Sequence, residues 1–258
     1  MSHWDRVAEA WGRWSARFEA GAAVVTEAML ADAHVGEGSR VLDLACGVGE
    51  VARAARARVG ASGRVVGLDS SLQMLGVARA LGAGPESAGV EWRQGEATAL
   101  AESGFDAVLC RWGFDAWESY DPIVRGVRAS LKPGGRFVAA LWGEMPHVPV
   151  IYLPLLAGER SGGEPAPDSR HAGMLGFDRL AEVLEREGFE NISIQDMEFD
   201  LVFDRMEEWL RFVSEISGFA RSERFARELT AVTGPYVSGS EIRLPCEVVL
   251  VRANKKLC

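Results

Sequence analysis

Three acidic residues, Asp43, Asp69 and Glu96, stand at the ends of three successive apolar segments of strand length. If these segments pair as parallel strands, their carboxyl ends meet at one edge of a sheet and the three side chains converge on one crevice. A carboxylate there can accept both hydroxyls of a ribose, which suits Asp69. Glu96 can accept from the amine of an adenine while the Ala97 amide reaches a ring nitrogen. The acids therefore predict a site for an adenosine-containing ligand.

A glycine-rich loop follows the first of these segments. Residues 47–52, Gly-Val-Gly-Glu-Val-Ala, satisfy the dinucleotide fingerprint G-x-G-x-x-G/A, so an NAD-dependent oxidoreductase is one interpretation. Asp43 lies four residues before the first glycine, where its carboxylate would repel a pyrophosphate. S-adenosylmethionine (SAM) has no phosphate and carries an ammonium and a sulfonium, which a carboxylate attracts. The loop and the acid together favour SAM, and NAD is the alternative cofactor.

Strands and helices alternate around these residues. Apolar periodicity predicts a helix over residues 3–33 and further helices after the first two strands. Predicted strands cover residues 40–45, 64–69, 90–93, 105–110 and 137–142. Five strands separated by helices indicate a parallel sheet with right-handed crossovers. Beyond Gly143, prolines and glycines interrupt this rhythm. The predicted elements there are a helix at 177–187, strands at about 191–203 and 241–253, and a helical stretch at 205–230.

Four segments, taken in order, resemble the motifs of the small-molecule SAM-dependent methyltransferases related to the ubiquinone and menaquinone methyltransferases. Residues 41–49 resemble the first motif of that family, and residues 66–69 resemble its second-strand acid. Residues 95–97 resemble its adenine motif, and residues 131–135 resemble the turn before its fifth strand. The resemblance covers roughly residues 5–143. Its specificity comes from the ordered set of segments.

The resemblance implies a class I α/β fold. We expect a doubly wound, Rossmann-like, seven-stranded sheet, mostly parallel with an antiparallel last strand, and a helical lid. SAM is the expected cofactor. The residues expected to contact it are Trp11, Asp43, Ala45, Cys46, Gly47, Gly49, Asp69, Ser70, Met74, Gly95, Glu96, Ala97 and Arg111.

Two of these residues depart from the family pattern. Ala45 stands where many members have the first glycine of the loop, which restricts the local backbone without removing the acid or the later glycines. Glu96 stands where aspartate is common, so its side chain reaches further toward the adenine.

Five residues are expected to contact the methyl acceptor. Trp112 and Phe114 follow the fourth strand, where the resemblance places side chains against the acceptor, and core packing is the alternative interpretation for both. Trp209 and Phe212 lie in the aromatic-rich helical stretch, for which packing of an amphipathic helix is the alternative interpretation. His147 is the candidate general base, and an exposed loop histidine without a role is the competing interpretation.

The chain divides into two regions in this interpretation. Residues 1–143 form the SAM-binding core with an N-terminal helical cover, and residues 144–258 form an acceptor lid and strands that complete the same sheet. Within the second region, residues 144–175 and 204–235 are expected to select the acceptor. His171 lies there as a second candidate base.

Composition excludes several function classes. The net charge of −9 opposes binding to a nucleic-acid backbone. Four cysteines without paired spacing argue against a disulfide framework or a zinc site, and no metal is expected. No basic leader or apolar span is apparent, so we expect a cytoplasmic protein without a membrane span. A small-molecule acceptor is the expected partner, and the sequence is compatible with a homodimer.

The predicted reaction is transfer of the SAM methyl group to an oxygen, carbon or nitrogen nucleophile of a small, largely apolar molecule. Because a sulfonium is a good leaving group, alignment of donor and acceptor is the main requirement, and no catalytic triad is needed. A SAM-binding enzyme of another reaction type, such as a rearrangement or cyclisation, and a non-catalytic SAM-binding module are alternatives. An NAD-dependent oxidoreductase is a further one.

Overall fold

The computed structural model of the chain describes residues 2–82, 89–162, 176–217 and 222–257. Its strands are β1 (Arg40–Leu44), β2 (Arg64–Asp69), β3 (Val90–Gln94), β4 (Phe105–Arg111), β5 (Leu131–Trp142), β6 (Phe189–Phe203), β7 (Val237–Ser238) and β8 (Glu241–Lys255). Its helices are α1 (His3–Asp32), α2 (Glu50–Val59), α3 (Leu72–Leu81), α4 (Asp121–Ser130), α5 (Pro149–Ser161), α6 (Gly176–Arg186), α7 (Met206–Ile216) and α8 (Glu223–Thr233).

The strands form one sheet in the order β3-β2-β1-β4-β5-β8-β6, and the short β7 pairs with β8. Strands β1 to β5 pair in parallel, whereas β8 runs antiparallel to both β5 and β6. The prediction of a mostly parallel, Rossmann-like sheet with an antiparallel last strand is therefore confirmed. Strand order reverses between β1 and β4, so the crevice of a doubly wound sheet opens at the carboxyl ends of these strands.

Helices cover both faces of this sheet. On one face α1 and α2, together with α5, α7 and α8, pack into a single apolar cluster. On the other face α4 and α6 pack against the opposite side chains of the same strands. Strands covered on both faces need nearly continuous apolar runs, which explains the lack of alternation in β1 and β2.

Helix α1 lies over the crevice. It begins with a capping box in which Ser2 Oγ accepts the Asp5 amide at 3.1 Å and Asp5 accepts the Ser2 amide at 2.8 Å. Asp5 also accepts the Ser71 hydroxyl at 2.6 Å, which ties the start of α1 to the start of α3. At Gly21 the helix approaches β6 so closely that a Cβ atom would lie 2.2 Å from the Asp200 carbonyl oxygen. These contacts hold the aromatic side chains of α1 above the sheet edge.

Two C-terminal features differ from the sequence-based expectation. The helical stretch predicted at 205–230 is divided into α7 and α8, and residues 218–221 between them lie outside the described residues. Ser222 Oγ accepts the Phe225 amide at 3.1 Å and so caps α8, a start signal that the aromatic periodicity obscured. Strand β7 forms a two-residue hairpin arm that the prediction lacked, and Gly239, with φ of 63°, supplies its turn.

No helix in the described parts of the chain combines the length and the apolar character needed to cross a bilayer. Even α1, which is 30 residues long, is amphipathic: charged residues lie between the apolar residues that face the sheet.

The two glycines of the loop after β1 provide a matched test of backbone strain against packing. Both adopt a left-handed backbone, with φ of 54° at Gly47 and 88° at Gly49. A Cβ atom at Gly49 would lie 2.3 Å from the ring of Trp92, whereas a Cβ atom at Gly47 would meet no atom within 4 Å. We predict that Gly47→Ala lowers the free energy of unfolding by about 1–2 kcal/mol through strain alone. Gly49→Ala should cost about 1–3 kcal/mol more, because the core must also shift.

Urea unfolding followed by far-ultraviolet circular dichroism measures both values. Equal costs for the two variants would mean that the Trp92 ring does not pack against Gly49 as described.

Candidate cofactor and acceptor site

A cavity of about 350 Å³ opens at the carboxyl ends of β1, β2 and β4. Every residue predicted to contact the cofactor lines it except Gly49, which lies at the N-terminus of α2 against Trp92. The lining residues from this predicted set are Trp11, Asp43, Ala45, Cys46, Gly47, Asp69, Ser70, Met74, Gly95, Glu96, Ala97 and Arg111. The structure therefore brings residues from separate strands and from α1 into one crevice.

The loop between β1 and α2 forms the floor of this cavity. Ala45 has a φ of 56°, so it adopts the left-handed backbone conformation that favours glycine. Such a conformation costs a non-glycine residue on the order of 1 kcal/mol. Two backbone hydrogen bonds nevertheless hold the loop. The Cys46 amide donates to the Leu68 carbonyl at 3.0 Å, and the Gly49 amide donates to the Cys46 carbonyl at 2.8 Å. The departure at position 45 thus leaves the loop geometry intact.

Asp69 ties this loop to the second strand. One carboxylate oxygen accepts the Gly47 amide at 2.8 Å, and the other accepts the Ser71 amide at 2.8 Å. Burial raises the pKa of this carboxyl, while the two amide hydrogen bonds act to lower the pKa. Each oxygen retains a further lone pair, so the cavity-lining carboxylate can still accept from a ribose.

Asp43 is the most deeply buried acid of the site, with 1% of its surface exposed. The Ala52 amide donates to the carboxylate from the first turn of α2, but Oδ2 has no hydrogen-bond partner in the described chain. Burial raises the pKa of Asp43 to about 8, against the opposing effect of the nearby Arg111 guanidinium. An unsatisfied buried carboxylate oxygen requires a donor, and the ammonium of SAM is a donor with the matching charge. The residues present therefore fit SAM.

Arg111 links the sheet edge to α1. Its guanidinium donates to Glu19 at 2.8 Å, bonds to Thr26, and lies 4.7 Å from the centre of the Trp112 ring. The side chain is only 6% exposed, so its pairing with Glu19 neutralises a cation that would otherwise repel a positively charged ligand. Glu19 and Thr26 lie 92 and 85 residues away in sequence, and no local motif predicted them.

A second cavity of about 360 Å³ adjoins the first. The two cavities share Trp4, Trp11, Phe18, Trp112 and Ala116. Helices α5 and α7 supply its far wall through apolar side chains, which are Val150, Ile151, Pro154, Leu155, Phe212, Val213 and Ile216. We call this space the acceptor chamber, because Trp112 and Phe212, two of the residues predicted to contact the acceptor, line it.

Only two of the five residues predicted to contact the acceptor line the acceptor chamber. Trp112 and Phe212 line the acceptor chamber, and Trp112 stacks on Trp142 with ring centroids 4.5 Å apart. Phe114 is 1% exposed and packs against Tyr120 on the other side of the sheet edge. Trp209 is fully buried and donates to Thr233 Oγ1 at 3.0 Å, so it belongs to the packing of α7 against α8.

His147, the candidate general base, does not line the acceptor chamber. His147 is exposed and its Nδ1 lies 2.7 Å from a carboxylate oxygen of Glu247. It lines neither the cofactor cavity nor the acceptor chamber. His171 lies outside the described residues. The chamber instead contains Asp115, a 7% exposed carboxyl that the sequence analysis passed over although it follows Phe114 directly.

The raised pKa of Asp43 has a consequence for stability. A buried acid with a folded pKa of about 8 resists ionisation that the unfolded chain undergoes near pH 4, so its contribution to stability falls as pH rises from about 4 to 8. We predict that Asp43→Asn makes the ligand-free protein more stable at pH 8 by a few kcal/mol, because each pKa unit corresponds to about 1.4 kcal/mol. The difference should vanish toward pH 4, and thermal unfolding across this range measures it.

Asp106→Asn is the control for this exchange. Asp106 lies at the amino end of β4, on the side of the sheet opposite the crevice. There it accepts a hydrogen bond from the Arg40 amide at 2.8 Å and forms an ion pair with Lys132 at 2.8 Å. Its replacement should add no stability at pH 8. A less stable Asp43→Asn protein at that pH would contradict the account of an unsatisfied buried carboxyl.

Residues 41–135 match a family described as a methyltransferase domain. A demethylmenaquinone methyltransferase of Lactobacillus johnsonii is 30% identical over 172 residues, which cover 61% of this chain and 70% of the relative. A 2-phytyl-1,4-naphthoquinone methyltransferase of Thermosynechococcus vestitus is 32% identical over 135 residues, covering 51% of this chain and 59% of the relative. For a further curated relative, the match with this chain covers 41% of that relative's own length.

The fold is shared with solved methyltransferase structures. Phosphoethanolamine N-methyltransferase 2 of Haemonchus contortus, solved in complex with SAM, has a TM-score of 0.57 to this chain at 19% identity. The match covers 90% of this chain and 52% of that protein, and it concerns the fold alone. The domain match and the 70% coverage of a relative lead to the same conclusion. The chain belongs to the SAM-dependent methyltransferases, among the relatives of the demethylmenaquinone methyltransferases.

Proposed function

We propose that the chain transfers a methyl group from SAM to a small, largely apolar, quinone-type molecule. The observation that carries this proposal is the junction of two cavities, one lined by the acids Asp43, Glu50, Asp69 and Glu96 and one with aromatic and aliphatic walls. A cationic donor suits the first and an apolar acceptor suits the second. The relatives named after menaquinone and naphthoquinone substrates support the choice of acceptor class.

In the proposed complex, residues of the first cavity hold SAM by its polar ends. Asp43 Oδ2 accepts the ammonium, Asp69 accepts the ribose hydroxyls, and Glu96 with the Ala97 amide contacts the adenine. Bound SAM supplies an electrophilic methyl group on a good leaving group. The aromatic ring of Trp112, shared by both cavities, borders the position where this methyl group would be presented.

Alignment and exclusion of water are the proposed contributions of the acceptor chamber. Its walls from α1, α5 and α7 would hold a flat apolar ring against the methyl group, and such alignment can lower a barrier by several kcal/mol. We propose that residues 1–143 bind the donor, while residues 144–258 select the acceptor and complete the same sheet.

The electrostatics of the crevice argue against NAD. Asp43 in β1 and Glu50 at the start of α2 both line the cavity where a dinucleotide enzyme would bind a pyrophosphate. Burial raises the pKa of Glu50 as well, with Arg111 acting to lower the pKa, so a further anion there would be strongly disfavoured. A positively charged ligand relieves the same repulsion.

We further propose a cytoplasmic location and a small-molecule partner. Cys46, Cys110 and Cys246 are buried free thiols, which agrees with a reducing compartment. The net charge of −9 opposes a nucleic-acid substrate.

The activity is tested with labelled SAM and a panel of reduced 2-alkyl-1,4-naphthoquinones, phenols and amines. We expect label to appear in a naphthoquinone product that is heavier by one methyl group, together with S-adenosylhomocysteine. SAM and S-adenosylhomocysteine should also raise the melting temperature, because ligands of the native state stabilise it, whereas NAD should not. Stabilisation by NAD and none by SAM would overturn the proposal. A rearranged acceptor of unchanged mass would point to a different reaction in the same site.

The role of Asp69 is tested by substitution. We predict that Asp69→Ala weakens SAM binding by about 1.5–3 kcal/mol, the range for hydrogen bonds to a charged group. Asp106→Ala is the matched control, since Asp106 also accepts a backbone amide but lies at the far end of the sheet. Isothermal calorimetry should show a normal SAM affinity for the control. Equal affinities for both variants would remove Asp69 from the binding site.

A further inference from the structure

The acceptor chamber contains a carboxyl group in apolar surroundings. Among the described residues that line it, Asp115 is the only acid, and the other polar side chains with hydroxyl or imidazole groups are Ser2, His3 and Ser217. Asp115 belongs to the turn that follows β4, one residue before Ala116, which both cavities share. The carboxyl is therefore placed at the junction between donor and acceptor spaces.

The described residues around the Asp115 carboxyl give it few hydrogen bonds and no opposite charge. One oxygen accepts the Trp142 amide at 3.3 Å, a long hydrogen bond, and no ion pair to Asp115 is found in the described chain. Burial raises the pKa of Asp115 well above its ordinary range, with the Trp142 amide acting to lower the pKa. A buried acid without a countercharge costs stability, and it lies beside a space of the size needed for a small ligand.

We propose that Asp115 is a catalytic residue that accepts the hydroxyl proton of the acceptor. This inference rests on the proposed methyl transfer and narrows its substrates to hydroxylated aromatic molecules, such as hydroquinones and phenols. Two observations carry it: the carboxyl lines the chamber at its junction with the cofactor cavity, and it lacks a cationic partner there.

The O–H bond of the acceptor breaks, and its proton moves to the Asp115 carboxylate. The oxygen, or the ring carbon conjugated with it, forms the bond to the methyl group. The S–CH₃ bond breaks with its electron pair on sulfur. Where a ring carbon is methylated, that carbon then loses its own proton to water, the ring becomes aromatic again, and the oxygen takes its proton back from Asp115.

Asp115→Asn separates this role from a structural one. The amide oxygen can still accept the Trp142 N–H, and the volume is unchanged, so the end of β5 stays in place. We expect SAM affinity to remain within about threefold of the wild-type value. Turnover of a reduced 2-alkyl-1,4-naphthoquinone should fall about 100- to 10,000-fold, the usual contribution of a general base. Asp106→Asn, the same exchange at the far end of the sheet, should retain wild-type turnover.

An acidic acceptor provides the sharper comparison. A nitronaphthol that is already ionised at the assay pH needs no base, so Asp115→Asn should lower its methylation less than about tenfold. An equal loss for both acceptors, wild-type turnover of the naphthoquinol, or a joint loss of SAM binding would each overturn the inference and leave Asp115 a structural residue.

A binding measurement distinguishes failure of this inference from failure of the proposed function. With S-adenosylhomocysteine bound, the absorbance of the nitronaphthol reports its ionisation in the chamber. A neighbouring carboxylate disfavours the naphtholate, so Asp115→Asn should lower the pKa of the bound nitronaphthol by about one unit or more. An unchanged pKa of the bound nitronaphthol would contradict contact with Asp115, whether or not methyl transfer occurs.

Discussion

The carboxyl of Asp43 is buried where no group of the described chain donates to its second oxygen, and the crevice is organised around this constraint. An isolated charge at that depth would be prohibitively costly, so the carboxyl shifts its pKa and depends on nearby partners. The amide of Ala52 satisfies one oxygen, and Arg111 supplies positive charge. Asp43 Oδ2 still lacks a hydrogen-bond donor, and in the proposed complex the positively charged ammonium of SAM supplies it.

The same constraint explains why α1 must cover the sheet edge. Arg111 supports ionised Asp43, but its charge would repel a cationic ligand if it were unpaired. Glu19 on α1 pairs with Arg111 and leaves an excess of acids in the crevice. The helix that carries Glu19 also carries Trp11 and Phe18, which line both the cofactor cavity and the acceptor chamber. The charge balance and the aromatic walls of the site thus both depend on the docking of α1.

The cofactor half of the site could be predicted from sequence because its signals are local. Asp43 and Asp69 stand within or at the end of apolar runs, and the sheet topology brings strand ends together whatever the side-chain details. Gly49 was placed in the site by the same motif, yet its lack of a side chain serves the packing of Trp92. A motif therefore locates a loop more reliably than it assigns each of its residues.

The acceptor half could not be predicted in the same way. Trp209 and Phe212 lie three residues apart on α7, and periodicity cannot tell which of them faces a cavity and which meets another helix. His147 drew attention through its chemistry, whereas its position was decided by Glu247, 100 residues away. Asp115 carried no motif, and only the approach of α5 and α7 made its surroundings apolar.

A structure of the complex with S-adenosylhomocysteine tests whether the buried Asp43 carboxyl binds the amino end of the cofactor. We expect the amino group of the ligand to lie within hydrogen-bond distance of Asp43 Oδ2 and the ribose hydroxyls to contact Asp69. The sulfur should face the acceptor chamber beside Trp112. A ligand whose amino group lies away from Asp43, or whose sulfur points away from that chamber, would contradict this expectation.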